Sequence, residues 1–222
     1  MIRLLWTMLV TELRLANRDR GQWLLGVIFF VLVVSLFPLG TNPQPRLLAQ
    51  VAPAVIWTAA LTAALTGLDR LWRSDYEEGV LDQYRLASTP LALIAFIKAL
   101  AHWLTTGLLM TLCAPLLAVM LGLPSQALWP LICGLLLGTP ILSLMGSIAV
   151  ALTLAVKKSG VLVPLLVLPL YAPVLIFGAG AASAAAVGGA YDVPLLMLGA
   201  LLLLAATLTP LATAVALDAA GE

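Results

Sequence analysis

The sequence predicts an all-α membrane protein in which six helices cross the bilayer. Of its 222 residues, 63% are hydrophobic and only 9% are charged, and the mean hydropathy is +1.12. A water-soluble domain cannot bury that much apolar surface, so the composition indicates a polytopic membrane protein. No stretch is long enough for a separate soluble domain, so residues 1–222 are predicted to form a single transmembrane domain.

The first 20 residues are predicted to form an amphipathic helix that lies in the plane of the membrane interface. Apolar residues at helical spacing define one stripe, which consists of Ile2, Leu5, Leu9, Leu13 and Ala16. Arg3, Thr7, Thr11, Arg14 and Arg18 lie roughly opposite. With Trp6 on the apolar side, this pattern is typical of an interfacial helix. A plain solvated leader is the alternative.

Six apolar runs are predicted to span the membrane: residues 22–39, 47–68, 99–121, 127–156, 161–178 and 193–217. Lys98 and Trp103 are expected to anchor the start of the third span at the interface. The fourth run exceeds the length a bilayer needs, and a kink is expected at residues 138–140. The fifth run carries three prolines and is expected to be a broken helix. The Ala- and Gly-rich residues after it, 178–192, are predicted to form short re-entrant pieces.

A strongly polar segment, residues 69–90, separates the second span from the third. Its charged residues are Asp69, Arg70, Arg73, Asp75, Glu77, Glu78, Asp82 and Arg85. Asp69 and Arg73 have the spacing of a helical ion pair, and Ser74 with Glu77 fits a capping box that would start a helix at Asp75. Thr89 and Pro90 are predicted as N-cap and first residue of the next helix.

The polar segment is therefore predicted to contain one or two short amphipathic helices. Gly79 is expected either to bend the chain or to let another backbone approach closely, and Val80, Leu81 and Tyr84 form an apolar edge. Two interpretations stay open: a solvated loop, or a docking element for a soluble partner.

The basic residues predict which side of the membrane this segment occupies. Ten of the eleven Lys and Arg residues fall in the N-terminal region, the polar segment with Lys98, or the loop at Lys157 and Lys158, whereas Arg46 alone falls on the other side. The positive-inside rule then places both termini and the polar segment in the cytoplasm. The net charge of +1 gives no support for nucleic-acid binding.

The polar segment resembles the corresponding segment of type-2 ABC exporter membrane subunits. Residues 75–83, followed by Thr89, Pro90 and Lys98, match the acidic-Gly-x-Leu-acidic-Gln, Pro and Lys pattern of those proteins. The resemblance implies an ABC-2 (type V-like) topology with a cytoplasmic coupling segment at 69–90 that docks on a separate nucleotide-binding subunit. The residues expected to make or support that contact are Arg70, Arg73, Asp75, Glu77, Glu78, Gly79, Leu81, Asp82 and Gln83.

Over nearly its full length the chain is similar to the CcmB family, the membrane subunits of the CcmABCD complex of cytochrome c maturation. The match extends to AHW at 101–103, LLLGTP at 135–140 and LVLPL at 166–170, and to further short stretches between residues 37 and 210. The resemblance implies a homodimer in the bacterial inner membrane. It also implies that CcmA is the ATPase partner and binds ATP and Mg²⁺, with CcmC, CcmD and the periplasmic haem chaperone CcmE as further partners. ATP hydrolysis by CcmA would then drive haem export or the release of haem-loaded CcmE.

Few residues of the chain are candidates for chemistry. The sequence contains no Walker A, GxSxG or HExxH motif, so no catalytic or metal-binding residue is predicted and any ATP hydrolysis must come from another subunit. His102, the only histidine, is the obvious candidate for a haem contact, with Trp103 beside it. Packing in the interface is the plainer explanation for His102.

Three classes of function can be weighed against these features. An ATP-driven subunit could carry haem between two copies of itself, or it could act as a mechanical relay that moves no haem; the lone histidine and the apolar spans favour the relay. A membrane scaffold that only positions CcmC is the alternative. A permease acting alone would need intramembrane charges or coordinating oxygens, which the predicted spans lack.

Overall fold

The computed structural model describes residues 2–18, 20–41, 44–68, 70–154 and 162–220, and within those ranges it is helical with no strand, as predicted. The elements are α1 Ile2–Arg18, α2 Arg20–Thr41, α3 Pro45–Leu65, α4 Arg70–Glu77, α5 Val80–Leu86, α6 Leu91–His102, a π-helical segment Trp103–Gly107, α7 Leu108–Met120, α8 Ser125–Thr153, α9 Leu162–Ala186 and α10 Asp192–Ala219.

Five helical rods within the described residues are long and apolar enough to cross a membrane, and a sixth is shorter. The long ones are Pro45–Leu65, Leu91–Met120, Ser125–Thr153, Leu162–Ala186 and Asp192–Ala219. The shorter apolar stretch, Leu24–Gly40, lies within α2. These six helices correspond to the six predicted spans.

The helix Leu91–Met120, called the third rod, begins within one residue of the helix start predicted at Pro90, but eight residues before the span predicted from residue 99. It starts at Leu91 and continues through α6, the π-helical segment and α7, and Pro90 is its N-cap residue rather than its first helical residue. The apolar residues 91–97 extend the helix, so Lys98 lies two turns inside it and not at its start.

The prediction of a broken fifth span with re-entrant pieces is wrong. Helix α9 is continuous from Leu162 to Ala186, through Pro169 and Pro173 and into the Ala- and Gly-rich run. Pro164 lies in the first turn, where backbone N–H groups have no helical partner to lose. Small residues later in α9 let it pack closely against α8 and α3, and such packing stabilises a proline-containing helix.

Helix α8 lies at the centre of the bundle and contacts α3, α6, α7, α9 and α10. The buried indole of Trp57, on α3, fits into a space left by three glycines. These are Gly134 and Gly138 on α8 and Gly178 on α9; a Cβ atom added at Gly138 would lie 2.5 Å from the Trp57 ring. The absence of side chains at these glycines lets three helices approach one another around one large aromatic residue.

Contacts at the two ends of the bundle show that consecutive long helices alternate in direction. At one end, Gln126 at the start of α8 donates a hydrogen bond of 3.0 Å to the carbonyl oxygen of Ala186 at the end of α9. At the other end, Arg85 of α5 donates to the carbonyl oxygen of Leu217 near the end of α10. The polar segment and the last turns of α10 therefore lie at the same end of the molecule.

Candidate functional site: the polar segment between α3 and α6

The polar segment folds into the two short helices α4 and α5, separated by Gly79. Gly79 has φ 72° and ψ 12°, a left-handed conformation that glycine adopts without steric cost and other residues adopt with strain. The predicted capping box is wrong: α4 begins at Arg70, so Ser74 and Glu77 lie inside the helix one turn apart. The expected pair between Asp69 and Arg73 involves a residue outside the described part of the chain.

The outer face of this segment is acidic and exposed. The side chains of Glu77 and Asp82 are 64% and 75% exposed, and Glu78 and Gln83 are exposed as well. Arg73 lies 3.8 Å from Glu77 in an i,i+4 ion pair. Four of the residues predicted to contact a partner are thus exposed: Glu77, Glu78, Asp82 and Gln83.

The inner face of the polar segment contacts three long helices, namely α8, α10 and the third rod. Trp72 of α4 is fully buried, and its indole Nε1 donates a hydrogen bond of 2.8 Å to the hydroxyl of Ser147 on α8. Leu81 of α5 is buried, and Val80 and Tyr84 are partly buried, which confirms the predicted apolar edge. Arg85 of α5 adds the contact with α10.

The guanidinium group of Arg85 joins α5 to the end of α10 by several contacts. Besides its bond to Leu217, it lies 2.9 Å from the Asp82 carboxylate and 3.8 Å from the Asp218 carboxylate. Arginine can serve several acceptors at once because its planar group carries five N–H donors. The polar segment is therefore an attached part of the bundle and not a loose loop.

Lys98 holds α4 to the start of the third rod. Its ammonium Nζ lies 2.7 Å from Oδ2 of Asp75 and 3.2 Å from Oε1 of Glu12, and 5.4 Å from the centroid of the Trp72 ring. The residue is only 7% exposed. The expectation that Lys98 anchors the span by reaching an aqueous interface is therefore corrected: the lysine is enclosed and doubly paired.

Asp75 occupies a different position from the other acidic residues of the segment. Its side chain is 14% exposed and faces Lys98, whereas Glu77 and Asp82 face outward. Tyr84 lies near the same charges, and burial raises its pKa above the usual value of a tyrosine, with Lys98 partly opposing that shift. Glu12, Asp75 and Lys98 together form the charge cluster.

A pocket of about 480 Å³ lies between α1, α4 and the third rod, next to the charge cluster. Glu12, Glu78, Lys98 and His102 contribute to its lining, with Leu15 and Leu71 among the apolar residues. Three carboxylates and one ammonium group line it, so the pocket carries an excess of negative charge. Such a surface is a poor match for the two carboxylates of a haem group.

His102 and Trp103 face α8. The His102 Nδ1 atom lies 2.9 Å from the Ser143 hydroxyl, and its Nε2 atom is buried with no hydrogen-bond partner among the described residues. Trp103 donates a hydrogen bond of 3.0 Å from Nε1 to the Thr139 hydroxyl. The Nε2 atom therefore has no accessible surface for a haem iron to contact, although His102 belongs to the pocket lining.

No set of three or more His, Cys, Asp or Glu side chains that could hold a metal ion occurs in the described ranges. Cys113 and Cys133 are unpaired and partly buried.

Known proteins are similar to this chain in sequence over nearly its full length. The model of the family described as "CcmB protein" matches residues 3–220, and the chain belongs to that family. It is 46% identical over 210 residues to "Heme exporter protein B" of Pseudomonas aeruginosa, with 95% of this chain and 94% of that protein covered. The protein of the same name from Rhodobacter capsulatus is 47% identical over 210 residues, covering 95% and 96%. That of Escherichia coli K12 is 44% identical over 212 residues, covering 96% of each.

Sequence reasoning missed four residues that build this site: Glu12, Trp72, Ser147 and the inward-facing Lys98. Two signals were present. Glu12 is the only acidic residue in the amphipathic N-terminal helix, and Lys98 is the only charged residue between Pro90 and Leu121. An isolated charge in an apolar helix is expected to have a partner of opposite sign, but the sequence does not say which one.

Proposed function

We propose that this chain is the membrane subunit of an ATP-driven haem export complex, and that the segment α4–α5 is the surface on which a separate ATPase subunit docks. The relatives named as haem exporter proteins support the substrate class. The observation that carries the coupling role is the two-sidedness of the segment: an exposed acidic face outside, and direct bonds to α8, α10 and the third rod inside.

A surface with those two properties is suited to transmit motion. The partner pushes or releases the exposed face, and Trp72, Arg85 and Asp75 carry the displacement into three different helices. For work to be done, the segment must bind the ATP-bound and nucleotide-free partner with different affinity. ATP and Mg²⁺ belong to the partner, which is a CcmA-like subunit, and CcmC, CcmD and CcmE complete the haem-handling assembly around a homodimer of this chain.

The docking role is tested by reversing the exposed charges. A tagged chain is extracted gently from its native membrane, and its stoichiometric partners are identified by mass spectrometry. We expect a cytoplasmic ATPase to co-purify with the wild-type chain and to be reduced at least about tenfold for E77K/E78K, because like charges then oppose each other across the interface.

Asp192→Lys is the matched control, because Asp192 is an exposed acid at the opposite end of the bundle. This variant should retain the ATPase. A folded wild-type chain that brings down no ATPase would contradict the proposal and favour the scaffold that positions CcmC.

Within this function, we propose that the chain acts as a relay and that haem does not bind at His102. The buried Nε2 atom, the Ser143 contact on Nδ1 and the acidic pocket nearby all support the relay. His102→Ala should leave haem delivery to the periplasmic chaperone close to the wild-type level, measured as the yield of haem-loaded chaperone. If the yield collapsed while the complex and its ATPase activity stayed intact, haem conduction through this subunit would be the better explanation.

A further inference from the structure

We propose that Lys98 is a positioning residue that makes α1 and α4 move as one unit with the third rod. The proposal rests on the function proposed above and adds the N-terminal helix to the coupling machinery. It starts from one geometric fact: a single ammonium group lies within 3.2 Å of carboxylates from two separate helices, Glu12 on α1 and Asp75 on α4.

The surroundings of Lys98 make these contacts the main restraint on its position. The side chain is 8% exposed, so water reaches the ammonium group only from the adjoining pocket and is a poor substitute for a lost carboxylate. A buried charge that loses its partner is strongly unfavourable, because nothing else compensates its desolvation. The Trp72 ring lies beside the ammonium group and is itself bonded to Ser147, so the lysine is enclosed on the side of α8 as well.

The two carboxylates are not equivalent. Asp75 is closer to the ammonium group, at 2.7 Å against 3.2 Å, and its side chain is less exposed, at 14% against 20%. Charged hydrogen bonds strengthen as they shorten, so Asp75 holds Lys98 more firmly than Glu12 does. Helix α4 is thus attached to the third rod more firmly than α1 is.

This arrangement links α1 to displacements of α4. When a partner displaces α4, Asp75 draws Lys98 with it, and Glu12 follows the same ammonium group. A movement that begins on the exposed acidic face therefore reaches the N-terminal helix and, through it, the first span. Without Lys98, α4 and α1 have no common charged anchor among the residues the structure describes.

Hydrogen exchange on the full-length chain, purified alone and with its ATPase partner, tests the shared anchor. In Lys98→Met, peptides from both α1 and α4 should exchange about tenfold faster, since both lose the same charged contact. Glu12→Gln should release α1 and leave α4 protected. Asp75→Asn should release α4. Arg46→Met removes one exposed positive charge at the other end of the bundle and should change neither helix.

Lys98→Arg separates a positioning role from a purely structural one, because arginine keeps the charge and can serve both carboxylates. It should restore protection of both helices and most of the haem delivered per ATP hydrolysed, whereas Lys98→Met should keep ATP hydrolysis and lose delivery. If Lys98→Met fails to fold, the triple variant E12Q/D75N/K98M, which leaves no unpaired charge, replaces it and should show both helices released.

Unchanged exchange in α1 or in α4 for Lys98→Met, or an arginine variant no better than the methionine one, would overturn the inference. These results are distinct from a failure of the proposed function, which would appear as the absence of an ATPase partner from the wild-type preparation while exchange remains measurable on the chain alone.

Discussion

At the residue scale, the sequence around a residue does not predict which side chains of the polar segment are buried. Trp72 is surrounded by charged residues in the chain, yet its side chain is fully buried and bonded to Ser147, 75 residues away. A pattern of charges indicates which segment leaves the membrane. It does not indicate which side chain of that segment turns back toward the bundle, since that depends on partners far along the chain.

The lack of free space around the Trp57 indole leads to a stability prediction at the same scale. A Cβ atom at Gly178 would overlap the Trp57 indole, whereas one at Gly180 on the same helix would meet nothing within 4 Å. Gly178→Ala should therefore destabilise the chain by about 1–3 kcal/mol through overpacking. Gly180→Ala should be neutral or slightly stabilising, because alanine is the better helix former.

Thermal unfolding of the two variants in one detergent, followed by circular dichroism, measures the difference. Equal melting temperatures for the two alanine variants would mean that the space around Trp57 is not as tightly filled as the glycines indicate.

At the scale of elements, the number of helices was predictable and several of their boundaries were not. Runs of apolar residues predicted the long helices because long apolar stretches with few charges are typical of membrane-spanning helices. Prolines misled the prediction for α9: in an isolated peptide they would break the helix, but here tertiary packing against α8 and α3 outweighs that cost. The start of the third rod was predicted within one residue from Thr89 and Pro90, whereas the span was predicted to begin only at residue 99 because Lys98 indicated the interface.

The polar segment, too, was predicted correctly in one feature and wrongly in another. Gly79 was correctly expected to interrupt it, because a glycine among strong helix formers often marks a left-handed residue. The capping box was wrong because Ser and Glu three apart also occur inside a helix, where the spacing corresponds to one turn. Local motifs thus identified the interruption and misplaced the helix start.

At the scale of the whole molecule, the alternating helices place specific residues at specific ends. Glu78 and Asp218 are exposed at one end, and Val187 is exposed in the turn between α9 and α10 at the other. In a chain whose own Cys113 and Cys133 are replaced by alanine, single cysteines at 78 and 218 should react with a membrane-impermeant maleimide in inverted vesicles. A cysteine at 187 should react in right-side-out vesicles instead.

This labelling experiment also tests the cytoplasmic placement that the basic residues predict. Cysteines at 78 and 218 that reacted from opposite sides of the membrane would contradict the alternation of the helices. All three reacting from the reverse sides would preserve the fold and overturn only its orientation.

The π-helical segment in the third rod has a consequence for how the chain tolerates changes in length. Before it, the buried stripe runs through Ile94, Lys98 and Ala101; continued at α-helical spacing, that stripe would pass through Leu112 and Leu116, which are in fact exposed. From within the segment onward, the stripe runs through Thr106, Met110 and Leu117 instead.

The burial pattern is therefore shifted by one position, as though a single residue had been inserted at 103–107 and absorbed by one widened turn. Loss of one residue here would return the turn to ordinary α-helix with both stripes still facing inward. The same deletion in the middle of α8 would rotate everything beyond it by about 100°. One residue can thus be deleted at 103–107 without rotating the buried face of the rest of the third rod toward the lipid.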